Sequence, residues 1–592
     1  MKIFTQAFQA VSHNLPSSSA FLASCHCIFS SSIIPEILSN EDLSRKLIMA
    51  HEDDHSAMKL LKMFALSDTM QFGSMMFCSG EDHHLQEFDS EILSPLLTTK
   101  RYFSSTLQRC TIHSTTLSQA IVNILTHLSQ VRSLKYLHLK FDKSGDTPSI
   151  TISCLKLLKT FPHLETLKID SDRLVISDEE LQEFVSSSPT TMNSVRELEI
   201  AGLRNDLPTF LKVFPNLRSL KEELVRGTTD LNALVSTVGP NLTRLELSHS
   251  DCENFEALGS LTELQTLRLI FIRCSIPTLQ FLQPLQHNLA DLYFNGTSVD
   301  SPTEFRHLAN LHLLRKLRIT NKNFDDSCLE HLANLTLLED LHFQSTSITP
   351  KGLHHLQGLC NLRSLDFFFC KIGSTSSESP SSELDQLLSS PSFAPSLRNL
   401  GLNKCNLVDR DLKSIGRFKN SLEVLLVTGN KEITNEGVSY LKDLVNLKRL
   451  EMSSCEKVTD LSFLSNSKKL EHLILDRMKS VDAESFRVFC CGDDEKENSF
   501  PNLKELWLED LQEVNDEVFE HFCSNENLQH CLRILQLDSL PKVTGNIFSM
   551  HISKLKGLQR LTADGVNDEF DGEEKVKELM LNGSLKNLEE DE

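Results

Sequence analysis

The chain has 592 residues, of which 40% are hydrophobic, so it can form several domains or one long repeat array and is too apolar for disorder throughout. Its 81 acidic residues outnumber 59 lysines and arginines, which gives a formal charge of −22 without a basic stripe and argues against a nucleic-acid partner. No run approaches the ~20 apolar residues of a membrane span, so we expect no membrane partner and a cytoplasmic or nuclear location.

Residues 1–105 lack the repeat that fills most of the chain, and they are predicted to form short helices. Within them the run IPEIL (Ile34 to Leu38), followed by Asp42 and Leu43, resembles the opening of an F-box, which implies binding to the linker subunit of a cullin ubiquitin ligase. The alternative is a helical cap on the apolar end of the repeat array. The first 35 residues contain no Asp or Glu, so a cleaved targeting peptide on a secreted protein is a third reading.

One string in this region matches a zinc-protease motif, because residues 51–55 (HEDDH) fit H-E-x-x-H. On a helix, His51 and His55 share a face and can bind zinc. However, Asp53 and Asp54 favour a solvated helix face, and no third ligand is apparent. The chain also lacks a phosphate-binding glycine loop and a nucleophile motif. We therefore predict that it is not an enzyme and uses no metal or cofactor.

From residue 106 to 565 the pattern L-x-x-L-x-L recurs in 17 copies, with a further doubtful copy at Leu107. Between Leu217 and Leu362 successive copies start 22 to 25 residues apart, as leucine-rich repeats do. Each copy predicts a strand, a loop and a helix whose leucines are buried only when copies stack. The sequence therefore predicts an α/β solenoid, a curved horseshoe with parallel strands on its concave face and helices on its convex face.

A small polar residue lies three positions beyond the strand in several middle repeats, namely Cys370, Cys405, Asn430 and Cys455. We expect such a side chain to hydrogen-bond turn backbone that stacking would otherwise leave unsatisfied. With the segment LLVTGNKEITNEGVSYL (425–441), these residues resemble the ribonuclease-inhibitor-like superfamily, most closely the cysteine-containing repeats of F-box/LRR-type proteins. The resemblance implies a binding protein and, for F-box members, a substrate receptor of an SCF-type ubiquitin ligase.

Three segments depart from the repeat. The Ser- and Pro-rich insertion from Gly373 to Pro395 and the charged run GDDEKEN (492–498) are predicted to be surface loops. Residues 566–592 are predicted to be an acidic C-terminal tail.

The candidate site lies on the strands. In L-x-x-L-x-L the residues between the leucines point outward, because strand side chains alternate between the two faces of a sheet. Large apolar side chains on an exposed sheet require a reason, and aromatic residues and arginine are enriched where proteins bind. The candidate partner-binding residues are Tyr293, Arg318, Phe368, Leu426, Arg449, Ile474 and Trp507. The competing interpretation is that Phe368 or Trp507 packs against a neighbouring repeat.

These observations favour a protein–protein interaction module that binds one partner on the concave face of the solenoid. The alternative is a substrate-recognition adaptor of an SCF-type ubiquitin ligase, which shares the fold and the concave site. The two hypotheses differ in whether residues 34–43 bind a ligase linker subunit.

Overall fold

The structure is a computed structural model that describes residues 74–79, 107–114, 119–141, 152–171, 176, 178–188, 191–203, 207–224, 228–373, 382–491 and 500–564. These residues belong to two compact units. The first reaches Arg244 and includes His249–Asp251, and the second contains Leu245–Ser248 and the chain from Cys252 onward. The F-box-like run, the HEDDH string, the GDDEKEN run and the predicted acidic tail all lie outside the described residues.

In the first unit, strands β1 to β6 form a parallel sheet in which chain neighbours are also sheet neighbours. The strands are β1 (Ser74–Ser79), β2 (Arg109–Ser114), β3 (Tyr136–Phe141), β4 (Thr166–Ser171), β5 (Glu197–Ala201), β6 (Ser219–Glu223) and β7 (Thr228–Asp230). The helices between them are α1 (Gln119–Leu128), α2 (Ile152–Leu158), α3 (Asp178–Ser186), α4 (Leu207–Leu211) and α5 (Leu231–Val238).

The start of the array lies earlier than the pattern indicates. Leu107, Cys110 and Ile112 are buried, so the doubtful copy at Leu107 is a real repeat strand. Strand β1 pairs in register with β2 and falls within residues 1–105, where no repeat is predicted. The remainder of 1–105 is not described, so its boundary and its role remain predictions.

The second unit repeats the same parallel arrangement, and each strand from β10 to β20 pairs with the next one. Its strands follow β8 (Arg244–Ser248) and β9 (Asp251–Glu253); they are β10 (Thr266–Ile270), β11 (Asp291–Asn295), β12 (Lys316–Thr320), β13 (Asp340–Gln344), β14 (Ser364–Phe368), β15 (Asn399–Asn403), β16 (Val424–Leu426), β17 (Arg449–Glu451), β18 (His472–Asp476), β19 (Glu505–Glu509), β20 (Ile534–Asp538) and β21 (Arg560–Asp564). In-register parallel strands connected by helical segments, with the repeat leucines buried, establish a leucine-rich-repeat fold.

The helical segments of the second unit are short, and many are 3-10 helices. The α-helices are α6 (Leu282–Leu285), α7 (Asp326–Leu329), α8 (Glu383–Ser389), α9 (Asn435–Ser439), α10 (Ala483–Cys491), α11 (Asp516–Ser524), α12 (Glu526–Cys531) and α13 (Asn546–Met550). The 3-10 helices are Phe255–Ser260, Pro302–Asn310, Glu330–Leu332, Pro350–Leu356, Asp409–Leu412, Ile415–Phe418, Ser462–Leu464 and Ile552–Lys554. A repeat of about 24 residues leaves room for only one or two helical turns. None of the helices in the described ranges has the length and apolarity that a membrane crossing requires.

The core of the second unit combines the repeat leucines with a row of phenylalanine rings. Phe305, Phe324, Phe343 and Phe367 contact one another in succession, with ring centroids 4.8, 5.4 and 5.4 Å apart; the first contact is edge-on and the last is stacked. All four rings are fully buried. These four successive repeats therefore cover one another's rings.

Asn430 carries the strongest of the predicted contacts to turn backbone. Its Nδ2 donates to Leu402 O (2.8 Å) and Val427 O (2.7 Å). Its Oδ1 accepts from the backbone N–H groups of Cys405 (3.0 Å) and Leu407 (3.1 Å). The side chain is fully buried and joins adjacent repeats, so the sequence prediction for this position is confirmed.

The equivalent residues of other repeats use sulfur or hydroxyl groups for the same purpose. Cys405 Sγ donates to Phe367 O (3.2 Å), and Cys455 Sγ donates to Val427 O (3.5 Å). Thr297, which departs from the Cys/Asn pattern, donates to Leu269 O (3.1 Å). Burial raises the pKa of the Cys455 thiol to about 12, which keeps its proton on sulfur for this bond.

The interpretation of Gly373 to Pro395 as a surface loop is wrong for its second half. Helix α8 begins there, with Ser382 Oγ accepting from Asp385 N (3.0 Å). Leu384, Leu387 and Leu388 are fully buried on this helix. Their i, i+3, i+4 spacing marks one face of a helix, and it was hidden by the surrounding serines and prolines.

A left-handed residue follows nearly every strand of the second unit and starts the turn beyond the sheet. These residues include Phe271, Ser345, Phe369, Lys404, Gly429, Ser454, Arg477, Asp510 and Ser539. Their backbone N–H groups donate to the neighbouring repeat, as Phe369 does to Asn403 O (3.0 Å) and Asp510 does to Asp538 O (2.9 Å). The carboxyl-terminal edge of the sheet is therefore an ordered rim.

We expect Asn430→Ala to destabilise the protein by roughly 3 kcal/mol or more, because it leaves two buried carbonyls and two buried N–H groups without partners. The measurement is urea unfolding followed by far-UV circular dichroism. Asn466→Ala is the control, because Asn466 is exposed and makes one 3.3 Å bond to Lys442 O. Equal midpoints for the two variants would contradict a structural role for Asn430.

Candidate functional site

The solvent-facing side of the second unit's sheet is organised in rows, because the strands pair in register. The second outward position of each strand faces its counterpart on the next strand, and we call this line the central row. Its members are Arg268, Tyr293, Arg318, His342, Asp366, Gly401, Leu426, Glu451, Ile474, Trp507, Gln536 and Thr562. Five of the seven predicted site residues belong to it.

Tyr293 and Arg318 are neighbours in the central row and contact each other. The Arg318 guanidinium carbon lies 5.9 Å from the centre of the Tyr293 ring, and Arg318 Nη2 lies 3.1 Å from Asp340 Oδ2. Arg268, on the other side of Tyr293, pairs with Asp291 at 2.7 Å and with Glu246 at 3.6 Å. This end of the row is an aromatic ring held between two ion-paired arginines.

The middle of the central row contains none of the predicted site residues. His342 Nδ1 lies 2.9 Å from Asp366 Oδ2, and Gly401 faces Asp366 on the next strand. A Cβ atom at Gly401 would lie 2.3 Å from Asp366 Oδ1, so glycine leaves room for this carboxylate in its observed position. These three positions separate Tyr293 and Arg318 from the predicted central-row residues further along the chain.

Phe368 lies outside the central row, at the next outward position of β14, where it faces Gln344 and Asn403. Its ring packs edge-on against Phe369 at 4.9 Å, and Lys404 Nζ lies 4.4 Å from the Phe369 ring centre. Phe369 is 49% exposed at the rim. Phe368 therefore belongs to an aromatic cluster at the rim. Sequence reasoning missed this cluster because Phe369 comes after the last position of the L-x-x-L-x-L pattern.

Ile474 and Trp507 are direct neighbours in the central row, and both are partly exposed. We call them the apolar pair. Leu426 lies two strands from Ile474, with Glu451 between them. Trp507 Nε1 is buried and has no hydrogen-bond partner among the described residues. The structure thus brings together two of the predicted apolar residues and leaves a third nearby.

Arg449 lies at the first outward position of β17, beside the central row, and its Nη2 pairs with Glu451 at 2.5 Å. On the next strands, His472 Nδ1 lies 2.5 Å from Glu505 Oε2. The Arg449–Glu451 ion pair and the His472–Glu505 contact thus lie beside the apolar pair. The Arg449 guanidinium is therefore already ion-paired with a carboxylate of its own strand.

Sequence reasoning missed a row of carboxylates on the carboxyl-terminal side of the apolar pair. Asp476, Glu509 and Asp538 end three successive strands and face one another in register; we call them the acidic row. Asp510 follows Glu509 at the rim. The signal was present in the sequence, since each of the three directly follows the last leucine of its L-x-x-L-x-L pattern.

The acidic row holds negative charge in an unfavourable environment. Burial raises the pKa of Asp476, and the nearby Asp510 carboxylate raises it further against the opposing effect of Arg477. Burial also raises the pKa of Glu509, with Asp476 and Asp538 adding to the effect. Arg477 Nη2 meets Asp476 Oδ2 at 2.6 Å, whereas the buried Asp476 Oδ1 has no hydrogen-bond partner in the described structure.

Two surface cavities lie among the described residues of the first unit. One of about 180 Å³ is lined by His138, Lys168, Glu199 and Lys221, and Lys168 Nζ pairs with Glu199 at 2.5 Å. The other, of about 530 Å³, is lined by Arg132, Lys135, His163, Glu165 and Arg196, and Lys135 Nζ pairs with Glu165 at 2.9 Å. The larger cavity therefore carries an excess of basic side chains, since Arg132, Lys135 and Arg196 line it with Glu165 as the one carboxylate. Across the described residues, no group of three or more His, Cys, Asp or Glu side chains is arranged to hold a metal ion.

No protein-family model matches the chain, and no curated protein matches it. Among solved structures, an internalin from Listeria monocytogenes aligns at 21% identity over 60% of this chain and 88% of its own, with a TM-score of 0.41. A leucine-rich-repeat protein of Leptospira interrogans aligns at 16% identity over 83% and 92%, with a TM-score of 0.33. TLR13, solved in complex with the RNA ssRNA13, aligns at 22% identity over 78% and 53%, with a TM-score of 0.38. The fold assignment rests on the chain's own strand register and buried leucines.

We expect Glu509→Gln to raise stability at pH 7. The folded-state pKa of Glu509 is raised, so ionisation of this carboxyl disfavours the folded state above that pKa, and the cost fades as pH falls through it. The gain should therefore be present at pH 7 and absent at ~pH 3, below the ordinary pKa range of a glutamate. Urea midpoints at the two pH values measure it. A variant less stable than the parent at pH 7 would show that favourable interactions of the Glu509 carboxylate outweigh the cost of ionising it in the folded protein.

Proposed function

We propose that the chain is a protein-interaction module and that its partner binds on the solvent-facing side of the second unit's sheet. The observation that carries this proposal is the apolar pair, because Ile474 and Trp507 lie side by side and partly exposed on a sheet face where solvation favours polar side chains. Tryptophan in such a position is characteristic of residues that dominate binding energy.

A purely structural role for the apolar pair is less well supported. The core of the same strands is formed on the opposite face by Leu473, Leu475, Leu506 and Leu508, all of which are at most 1% exposed. Ile474 and Trp507 point away from that core, since side chains of a strand alternate. They can be removed from the surface without opening a cavity among the leucines.

A macromolecule suits this surface better than a small ligand. The candidate residues extend over strands β11 to β19, and both candidate arginines are already paired with carboxylates, as Arg318–Asp340 and Arg449–Glu451. Neighbouring strands lie ~4.8 Å apart, so the surface spans several nanometres of sheet. A protein partner can contact such a length, and the carboxylates on it disfavour a phosphate backbone.

We expect Trp507→Ala and Ile474→Ser each to weaken capture of the partner by about tenfold or more, as loss of a hot-spot side chain does. The intact protein and each variant serve as bait in cell extract, and captured proteins are quantified by mass spectrometry. Met550→Ala is the matched control, because Met550 is a 60% exposed apolar residue on α13, away from the strands. Undiminished capture by both folded strand variants would exclude this surface as the binding site.

The ubiquitin-ligase adaptor remains a second proposal, and its support is the F-box-like run at residues 34–38. A chain that lacks residues 1–70 keeps strand β1 and its pairing with β2, so it tests this run with less damage to the repeats than removal of residues 1–105. If the chain is an adaptor, a cullin and its linker should be captured by the intact protein and lost on truncation, while the sheet partner is kept. Absence of ligase subunits from both samples would contradict the adaptor proposal and leave the proposed partner binding on the sheet unaffected.

A further inference from the structure

We propose that the acidic row and the apolar pair together bind an extended segment of the partner protein that carries arginine next to an apolar side chain. The inference rests on the proposed function and assigns a chemical class to the partner. Its basis is the juxtaposition of a partly exposed apolar strip and a strip of in-register carboxylates on strands β18 to β20.

The two strips have a fixed spacing. Ile474 and Trp507 each precede Asp476 and Glu509 by two residues on the same strands, so the strips run side by side about 7 Å apart. Within the acidic row, successive carboxylates lie on strands ~4.8 Å apart. A peptide that crosses the strands meets the apolar pair with one side chain while a long cationic side chain reaches the carboxylates.

One carboxylate of the acidic row is not fully satisfied by hydrogen bonds within the described residues. Asp476 is only 7% exposed, and one of its oxygens has no partner in the described structure. Beside the acidic row, Gln512 Nε2 donates to Asp510 Oδ1 at 2.6 Å, and an amide donor brings no positive charge. Burial and neighbouring carboxylates raise the pKa values of Asp476 and Glu509, which is the direction expected where negative charge is concentrated.

Arginine fits this surface better than other cations. Its planar guanidinium donates two parallel hydrogen bonds to carboxylates, and it also stacks on aromatic rings such as Trp507. A bare metal ion is disfavoured, because no cluster of three ligating side chains occurs in the described ranges. A second copy of this chain is disfavoured by its charge of −22, and a nucleic acid by its phosphates.

The test uses the full chain and a fluorescein-labelled peptide with two arginines flanked by leucines, followed by fluorescence polarisation. We expect Glu509→Gln to weaken peptide binding about tenfold. Its matched control is Glu520→Gln, which removes the same charge from the exposed side of α11 in the same repeat and should leave Kd unchanged. Because Glu509→Gln is expected to be at least as stable as the parent, its weaker binding cannot be attributed to unfolding.

Equal Kd values for Glu509→Gln and Glu520→Gln would mean that peptide binding depends only on the net charge of the protein, and this would overturn the proposal. Tighter binding of a counterpart peptide with glutamate in place of arginine, or of single-stranded RNA, would also overturn it. Trp507→Ala separates the two levels of inference. If Trp507→Ala abolishes partner capture while Glu509→Gln changes neither peptide nor partner binding, the interaction surface stands and the arginine assignment fails.

Discussion

The in-register stacking of repeats is the constraint on which the rest of this structure depends. A single repeat of about 24 residues cannot bury its own leucines, so neighbouring repeats must supply the walls of its core. Stacking also buries turn backbone, and that backbone needs hydrogen-bond partners. Asn430 meets both demands at once, since its four hydrogen bonds bridge adjacent repeats. Sulfur and hydroxyl groups perform the same task less fully at Cys405 and Thr297.

The same register that closes the core also determines the surface. Because equivalent positions meet on adjacent strands, any preference for one residue type at one position becomes a continuous row. This produces the apolar pair and the acidic row, and it places Gly401, which lacks a side chain, beside the Asp366 carboxylate. Solvent-facing residues on such a sheet cannot vary independently, since each has a neighbour at strand spacing on both sides.

The pattern L-x-x-L-x-L was enough to predict the strands and the buried leucines, because its period reports directly which side chains face the core. It could not distinguish α from 3-10 turns, as at Pro350–Leu356, where a short connection decides the geometry. Strand β1 was missed because it lacks the leucine pattern, and α8 was hidden by serines. At the candidate surface, Phe368 was predicted as an outward residue, and the structure places it one outward position beyond the central row, facing Asn403 on the next strand.

The acidic row is where the surface departs from what the fold requires. Leucine burial and backbone hydrogen bonds hold β18 to β20 together whether or not carboxylates line their carboxyl-terminal ends. Ionisation of Asp476 and Glu509 opposes folding, because burial and neighbouring carboxylates raise the pKa of both groups. Residues that cost stability without serving the core are typical of binding surfaces, where a partner supplies the missing compensation. An incoming cation would relieve this repulsion, so the unfavourable arrangement in the free protein becomes a source of binding free energy in the complex.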